Sequence, residues 1–390
     1  MNLKHLLIAA LATCTFSVSA QSLNIYSDFP GGNIIIDKIM SDTVYLRPDL
    51  RDTEGNWFYW YYAVSGAKDR TITFKFTRAN QFSTLGASIS TDGGVSWSWQ
   101  GANSTKTNQF TYHFTDNNEV RFSVGIPYTE SNFKTFIEKI GKNPYTELIS
   151  LCYTAKDRAA EMLKIRNTKK TSVAKVLVVA RNHACEMMGN YVMEGIISGV
   201  LASKYLSDNV EFLFVPFIDK DGVEDGDQGK NRLPRDHNRD YSEISVHSTT
   251  AALRSYVPVW SEGKLKMAFD LHCPWVTDAN AFFIGQPDSI IQSHQLNYIT
   301  MLERNITGEI PFKSKSFLRP GEAAWYSPLV PSKGTNFSTW ASSLSGIDFG
   351  MTLEFPYSQT SGVAVTADNA RRFGLEMAKA MELYLKSTIK

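Results

Sequence analysis

The sequence predicts an α/β protein in which a mixed, largely parallel sheet flanked by helices follows an all-β antiparallel sandwich. Three observations predict it. From Gln21 to about Tyr128 the residues are aromatic, β-branched and turn-forming, without a convincing helical period. After Tyr128 strand-like and helix-like segments alternate, the pattern of a sheet covered by helices. Three of the later apolar runs then end on a histidine or a carboxylate.

The first segments justify the sandwich. "NWFYWYYAVSG" (Asn56 to Gly66) and "RTITFKFT" (Arg70 to Thr77) favour strands, and the second alternates Ile72, Phe74 and Phe76 with Thr71, Thr73 and Lys75. An Asp-Gly-Gly turn precedes Val95 and Trp97, and Asp116-Asn117-Asn118 separates "QFTYHFT" from "EVRFSVGI". After "GIPYTESNF", the segments "NFKTFIEKI" and "AKDRAAEMLKIR" have helical spacing. Alternation continues with a strand at Lys175 to Ala180, a helix at about Met187 to Lys204 and a strand at Val210 to Pro216. A long polar loop leads to a helix at about Ser248 to Val257 and a strand at Lys266 to Leu271. A strand at about Phe349 to Phe355 and a helix from Thr366 to Lys386 end the chain. These textures divide the sequence into residues 1–20, 21–128 and 129–390.

Residues 1–20 read as a signal peptide. Lys4 and His5 precede the apolar segment Leu6 to Ala12, and Ser17 to Ala20 supplies small residues before Gln21. A variant reading makes Cys14, in "LATC", a lipid anchor. No other stretch approaches the roughly 18 unbroken apolar residues of a membrane span, so no transmembrane segment is expected and the chain reads as exported, periplasmic or extracellular. A formal net charge of +1 leaves no electrostatic footprint for nucleic acid. Cleavage would leave Cys152, Cys185 and Cys273, too few for a disulfide-stapled scaffold. Oligomeric state is not legible.

Chemistry concentrates at strand ends. "KVLVVARNH" delivers His183 and, three residues on, Glu186; "KMAFDLH" delivers His272; "GMTLEF" delivers Glu354. Ligands of open α/β sheets bind outside the carboxyl ends of the strands, so these groups converge on one edge. Two imidazoles and a carboxylate suit Zn²⁺, one per chain, with a fourth position open. The H-x-x-E tetrapeptide alone carries little, and its combination with "DLH" and "TLE" carries the site.

In this order, with a polar loop ending in "NR" between them, the motifs resemble the zinc carboxypeptidases of the carboxypeptidase A type. The β-rich first part and "DLH" are similar to the cytosolic-carboxypeptidase branch. The resemblance implies that His183, Glu186 and His272 bind zinc and that Glu354 is the general base for a zinc-activated water. Within "DKDGVEDGDQGKNRLPRDHNRDY" (Asp219 to Tyr241), "DHNR" resembles the family's Asp-x-Asn-Arg. By that match Asp236 orients the His183 ring, and Asn238 with Arg239 grips a substrate carboxylate. An arginine is expected at the oxyanion. Arg232 and Arg235 compete for it, with Arg232 favoured and Arg235 left among the substrate-binding candidates.

The resemblance has gaps. No tyrosine occupies the expected place in "PSKGTNFSTW" (Pro331 to Trp340); Tyr326 is the substitute, and Lys333 is a candidate for an acidic substrate side chain. Cys185 and Cys273 flank the ligands and read as packing residues or as a bridge behind the metal. His237 is expected to line the site, whereas His113, His247 and His294 lack a partner pattern. The implied activity is hydrolysis of a peptide or peptide-like substrate next to a free carboxylate. Two other readings stand beside it: a zinc amidase or acylase acting on cell-wall stem peptides or acylated amino acids, and a non-catalytic peptide- or glycan-binding protein on a peptidase scaffold.

Overall fold

The computed structural model describes residues 22–102, 108–242, 244–323 and 334–389. The expected leader with Cys14, and the candidates Tyr326 and Lys333, lie outside the described residues. Among the described residues, no helix is long and apolar enough to cross a membrane.

The first part is built from β1 (Asn24–Tyr26), β2 (Ile35–Met40), β3 (Thr43–Arg47), β4 (Tyr61–Ser65), β5 (Thr71–Phe76), β6 (Ser88–Ser90), β7 (Ser98–Trp99), β8 (Gln109–His113) and β9 (Val120–Ser123). One sheet has the order β1-β4-β9-β6-β7 and the other β2-β3-β5-β8. The alternation read in Thr71 to Phe76 is realised, since Ile72, Phe74 and Phe76 are buried while Thr71 and Lys75 face out. Tyr62, Phe74, Phe110 and Phe122 form a tilted cluster with neighbouring ring centroids 5.0–5.6 Å apart. The expectation of purely antiparallel sheets needs one correction, because β3 and β5 pair in parallel.

The second part runs α1 (Glu130–Ile140), β10 (Thr146–Tyr153), β11 (Ala159–Ile165), β12 (Ala174–Ala180), α2 (Met188–Ala202), α3 (Lys204–Asn209), β13 (Val210–Val215), α4 (Lys220–Asp225) and α5 (Ser248–Ser261). It continues with β14 (Leu265–His272), β15 (Phe282–Ile284), α6 (Ser289–Asn305), α7 (Phe337–Ser342), β16 (Phe349–Glu354), the short pair β17 (Gln359–Thr360) and β18 (Val363–Ala364), and α8 (Ala367–Thr388). Seven strands form one mixed sheet, β10-β11-β13-β12-β14-β16-β15, in which β13, β12, β14 and β16 are parallel. Every residue of β12 is buried. Val176 and Val178 pack into the core cluster shared with the first part, while Leu177 and Val179 pack into the cluster on the opposite face with Leu253 and Val257. Helices α2 and α8 cross so closely that a Cβ on Gly195 would lie 1.9 Å from the Arg371 carbonyl oxygen, and one on Gly374 would lie 2.0 Å from that of Val192. Only glycine allows that approach.

The segment "AKDRAAEMLKIR" departs from expectation. Its helix formers fold as β11, hydrogen-bonded to β10 on one side and β13 on the other. Buried pairing on both sides overrides its intrinsic helix preference.

Topology places the cleft. From β12 the chain crosses to β13 on one side, whereas β14 and β16 lie on the other. The carboxyl ends of β12 and β14 therefore face a crevice at a topological switch point.

Candidate active site

Strand β12 ends at Ala180, and the turn that follows is braced from below. Arg181, buried and at φ 61°, donates to the Ala184 carbonyl, to the Tyr128 carbonyl at 2.8 Å and to Asn190 Oδ1 at 2.9 Å. This clamp fixes the loop from which His183 and Glu186 project just before α2.

His183 and Glu186 meet His272, the last residue of β14. His183 Nδ1 lies 3.1 Å from Glu186 Oε1 and 3.1 Å from His272 Nδ1. His272 Nδ1 lies 2.6 Å from Glu186 Oε2, yet that oxygen accepts no hydrogen bond of acceptable geometry. Among the described residues, these three are the group of side chains able to hold a metal ion, with one donor atom from each within 4.8 Å of the others. Donors of a tetrahedral zinc site with bonds of about 2.0–2.1 Å sit roughly 3.3 Å apart, so the set fits that ion. A buried carboxylate oxygen close to an imidazole nitrogen without hydrogen-bond geometry also suits donors that converge on a cation.

Both imidazoles present Nδ1 to this group and turn Nε2 to a carboxylate. His183 Nε2 lies 3.2 Å from Asp236 Oδ1, and His272 Nε2 lies 2.7 Å from Asp270 Oδ2. Each carboxylate favours a proton on Nε2 and so leaves the Nδ1 lone pair for a metal. Asp270 is held in turn by Asn182 Nδ2 at 2.9 Å, and Asn182 Oδ1 accepts from the Tyr241 hydroxyl at 2.9 Å. Asp270 precedes His272 by two residues on one strand, and that same-face spacing in "DLH" was the available signal for it. Burial opposes charge on Asp236, but His183 and Arg239 outweigh it and hold the carboxyl well below its usual range. Burial likewise disfavours a charged His272, and Asp270 and Glu186 reverse this, holding it well above an ordinary imidazole.

Glu354 ends β16 as the Cα partner of His272. Its Oε2 is buried without a hydrogen-bond partner, and burial pushes its pKa up to about 7 against the pull of His272. Asn238 Nδ2 stands 3.4 Å from His272 Nε2 while its Oδ1 accepts from the Phe337 amide at 3.1 Å. Arg239, half-buried beside them, donates Nη1 to the Asn238 carbonyl at 2.7 Å.

Three expectations are not met by the placement, and one alternative is settled. Arg232 is not paired with the group: its guanidinium is bound to Asp219, to Asp52 at 2.8 Å and to Asp227 at 2.6 Å. Arg235 is bound to Asp240 Oδ1 at 2.9 Å and to the Ile244 carbonyl at 2.7 Å, so it braces the loop and is not offered to a substrate. His237 points away from the donors, stacked on His247 at 3.6 Å and 3.8 Å from Asp219 Oδ2. Cys185 and Cys273 are free thiols, both buried, so the bridge is not formed. Burial pushes Cys185 up to about 12 and Cys273 well above a normal thiol, which suits packing.

Lys230 was not singled out in the sequence. Its ammonium pairs with Glu186, and the Trp57 ring lies 5.4 Å from Nζ. The loop carrying it is pressed onto the turn after β12: at Gly229, φ 75°, a Cβ would lie 2.3 Å from the Ala184 nitrogen. Gln228 Nε2 donates to the Tyr59 carbonyl at 2.8 Å and its Oε1 accepts from the Tyr59 amide at 2.7 Å, tying this loop to the first part of the chain.

Comparison with known proteins agrees with this geometry. Residues 134–264 match the family model for zinc carboxypeptidase, a stretch that includes His183, Glu186 and the loop through Arg239 but ends before His272 and Glu354. Cytosolic carboxypeptidase 3 of Mus musculus is 29% identical over 138 residues, which cover 33% of this chain and 14% of that protein. The metallo-carboxypeptidase from Burkholderia cenocepacia superposes with a TM-score of 0.75 at 20% identity, covering 94% of this chain and 99% of that one. The metallo-carboxypeptidase from Pseudomonas aeruginosa gives 0.74 at 19% identity, covering 94% and 100%. Residues 134–264 thus match the zinc carboxypeptidase family model, and the chain has the fold of the bacterial metallo-carboxypeptidases.

Proposed function

We propose that this protein is an exported zinc metallocarboxypeptidase that hydrolyses a peptide or amide bond next to a free carboxylate. The observation that carries the reading is the convergence of His183 Nδ1, His272 Nδ1 and the Glu186 carboxylate beside the partnerless Oε2 of Glu354. A Zn²⁺ bound by His183, Glu186 and His272 would supply Lewis acidity, polarising a carbonyl and bringing the pKa of a water toward about 7.

The chain's own residues account for the rest. Arg239, with Asn238 alongside, binds the substrate's terminal carboxylate, for which a planar guanidinium offers paired donors. Glu354, held near neutrality by its burial, accepts a proton from the attacking water and returns it to the leaving amine. Asp236 and Asp270 keep both imidazoles in one tautomer throughout. Export rests on the apolar segment Leu6 to Ala12 and the small residues Ser17 to Ala20.

Metal analysis of the purified chain together with mass spectrometry of digests tests the reading, using free and C-terminally amidated peptides, muropeptides and N-acyl amino acids. The expected result is one zinc per chain and release of C-terminal residues from free-carboxylate peptides. Glu354→Gln should lower kcat by about 10²–10⁴-fold with zinc retained. Equal turnover by this variant would remove Glu354 from the mechanism. Cleavage confined to muropeptides or acyl amino acids would move the substrate class to the amidases. Zinc without hydrolysis of any substrate would leave a binding protein.

A further inference from the structure

An acyl-transfer site needs a positive or hydrogen-bond-donating group where the carbonyl oxygen gains charge. The loop's arginines have other partners: Arg232 is paired with Asp52, Asp219 and Asp227, Arg235 with Asp240, and Arg239 donates to the Asn238 carbonyl. Among the described residues, no lysine or arginine other than Lys230 pairs with His183, Glu186 or His272. From one position its Nζ pairs with the Glu186 carboxylate and stands over the ring of Trp57, which comes from the first part of the chain. Trp57 is itself packed on Trp275 at 5.6 Å, and Phe58 meets the same Trp275 at 5.1 Å, so the ring is held in place.

We propose that Lys230 is the catalytic cation of this site, taking the oxyanion role for which Arg232 had been the candidate. In the metal-free chain its ammonium neutralises Glu186. With a divalent cation held at that carboxylate, the ammonium would be repelled and its flexible stem would let it leave Glu186 while staying beside Trp57. There it donates hydrogen bonds to the substrate oxygen. As the water oxygen adds to the amide carbon, the carbonyl π pair moves onto the carbonyl oxygen and one water proton goes to Glu354. The oxyanion pair then re-forms the C=O bond as the C–N bond breaks with its electron pair on nitrogen, which takes the proton from Glu354; Lys230 keeps its own protons throughout. Loop placement supports the assignment, since Gly229 seats the chain on the His183–Glu186 turn and Gln228 anchors it to Tyr59.

The proposal rests on the metallopeptidase reading and makes a prediction of opposite signs. Lys230→Met should bind Zn²⁺ about tenfold or more tightly than wild type in chelator competition on the metal-free full chain, because a competing cation is gone. The same variant should lose about 10²–10³-fold in kcat, with KM little changed, and lose affinity for a phosphonate peptide analogue in proportion. Lys230→Arg should recover part of both losses, and it keeps the test open if the methionine variant folds poorly. Wild-type turnover matched by Lys230→Met overturns the assignment while leaving the metallopeptidase reading intact. Weakened zinc binding in a folded Lys230→Met also overturns it and makes the lysine a structural counter-ion. A wild-type chain that neither binds zinc nor hydrolyses any peptide defeats both readings.

Discussion

His272 and Glu354 are Cα partners across the parallel pair β14–β16, so the third candidate metal donor and the proposed base leave the sheet side by side. The backbone ladder, and no flexible loop, sets their separation. Phe355 N donates to the His272 carbonyl at 2.9 Å and continues that ladder one step beyond the strand. Rigid placement of this kind is what a proton transfer between positioned groups requires.

The stability of the metal-free chain should carry the signature of Glu354. Burial raises its pKa from 4.5 to about 7, so the native state favours the protonated acid. That contribution is fully present below pH 4.5 and is lost as the pH rises through about 7, where the native chain must hold a buried charge. Glu354→Gln cannot ionise, and relative to it the wild type should lose up to about 3 kcal/mol across this window. Thermal unfolding of both metal-free proteins at pH 4.5 and 8 measures the difference; parallel behaviour would contradict the buried, partnerless Oε2.

Asp236 and Asp270 each set an imidazole tautomer, and an amide cannot do so with charge. Asp236→Asn and Asp270→Asn should each weaken zinc binding by about 10–100-fold while leaving the fold intact. Chelator competition monitored alongside circular dichroism reads both quantities. Full zinc affinity in either variant would show that the contact does not orient its ring.

Arg232 should matter for folding. It sits among Asp52, Asp219 and Asp227, and Asp219 also caps α4 through the Gly222 amide at 3.0 Å. Arg232→Met would strand buried carboxylates whose ionisation burial already disfavours, and a loss of about 3–5 kcal/mol is expected. Urea unfolding measures that loss, and kcat of the folded, zinc-loaded variant should stay within about threefold of wild type, given that the guanidinium is occupied by three carboxylates. A collapse of kcat at unchanged stability would return Arg232 to the chemistry.

Several features were legible in linear order because short-range physics sets them. Alternation in Thr71 to Phe76 and the all-apolar run Ala174 to Ala180 read directly as a half-buried strand and a central parallel strand. His183, Glu186, His272 and Glu354 were legible because each follows a recognisable strand end. The run from Ala155 to Arg166 was misread because its composition favours helix, and only the neighbours β10 and β13 make it a strand. The three-way carboxylate trap around Arg232 was hidden because Asp52 lies 180 residues away in sequence.

By itself the sequence determined the division into a β-rich first part and an α/β second part, the residue types able to hold a metal, and the edge of the sheet on which they stand. Tertiary structure alone decided which cations remain available to that metal site, because ion pairing depends on distances closed between remote segments. It committed Arg232 to distant acids and left Lys230 against Glu186, under a tryptophan from the other part of the chain.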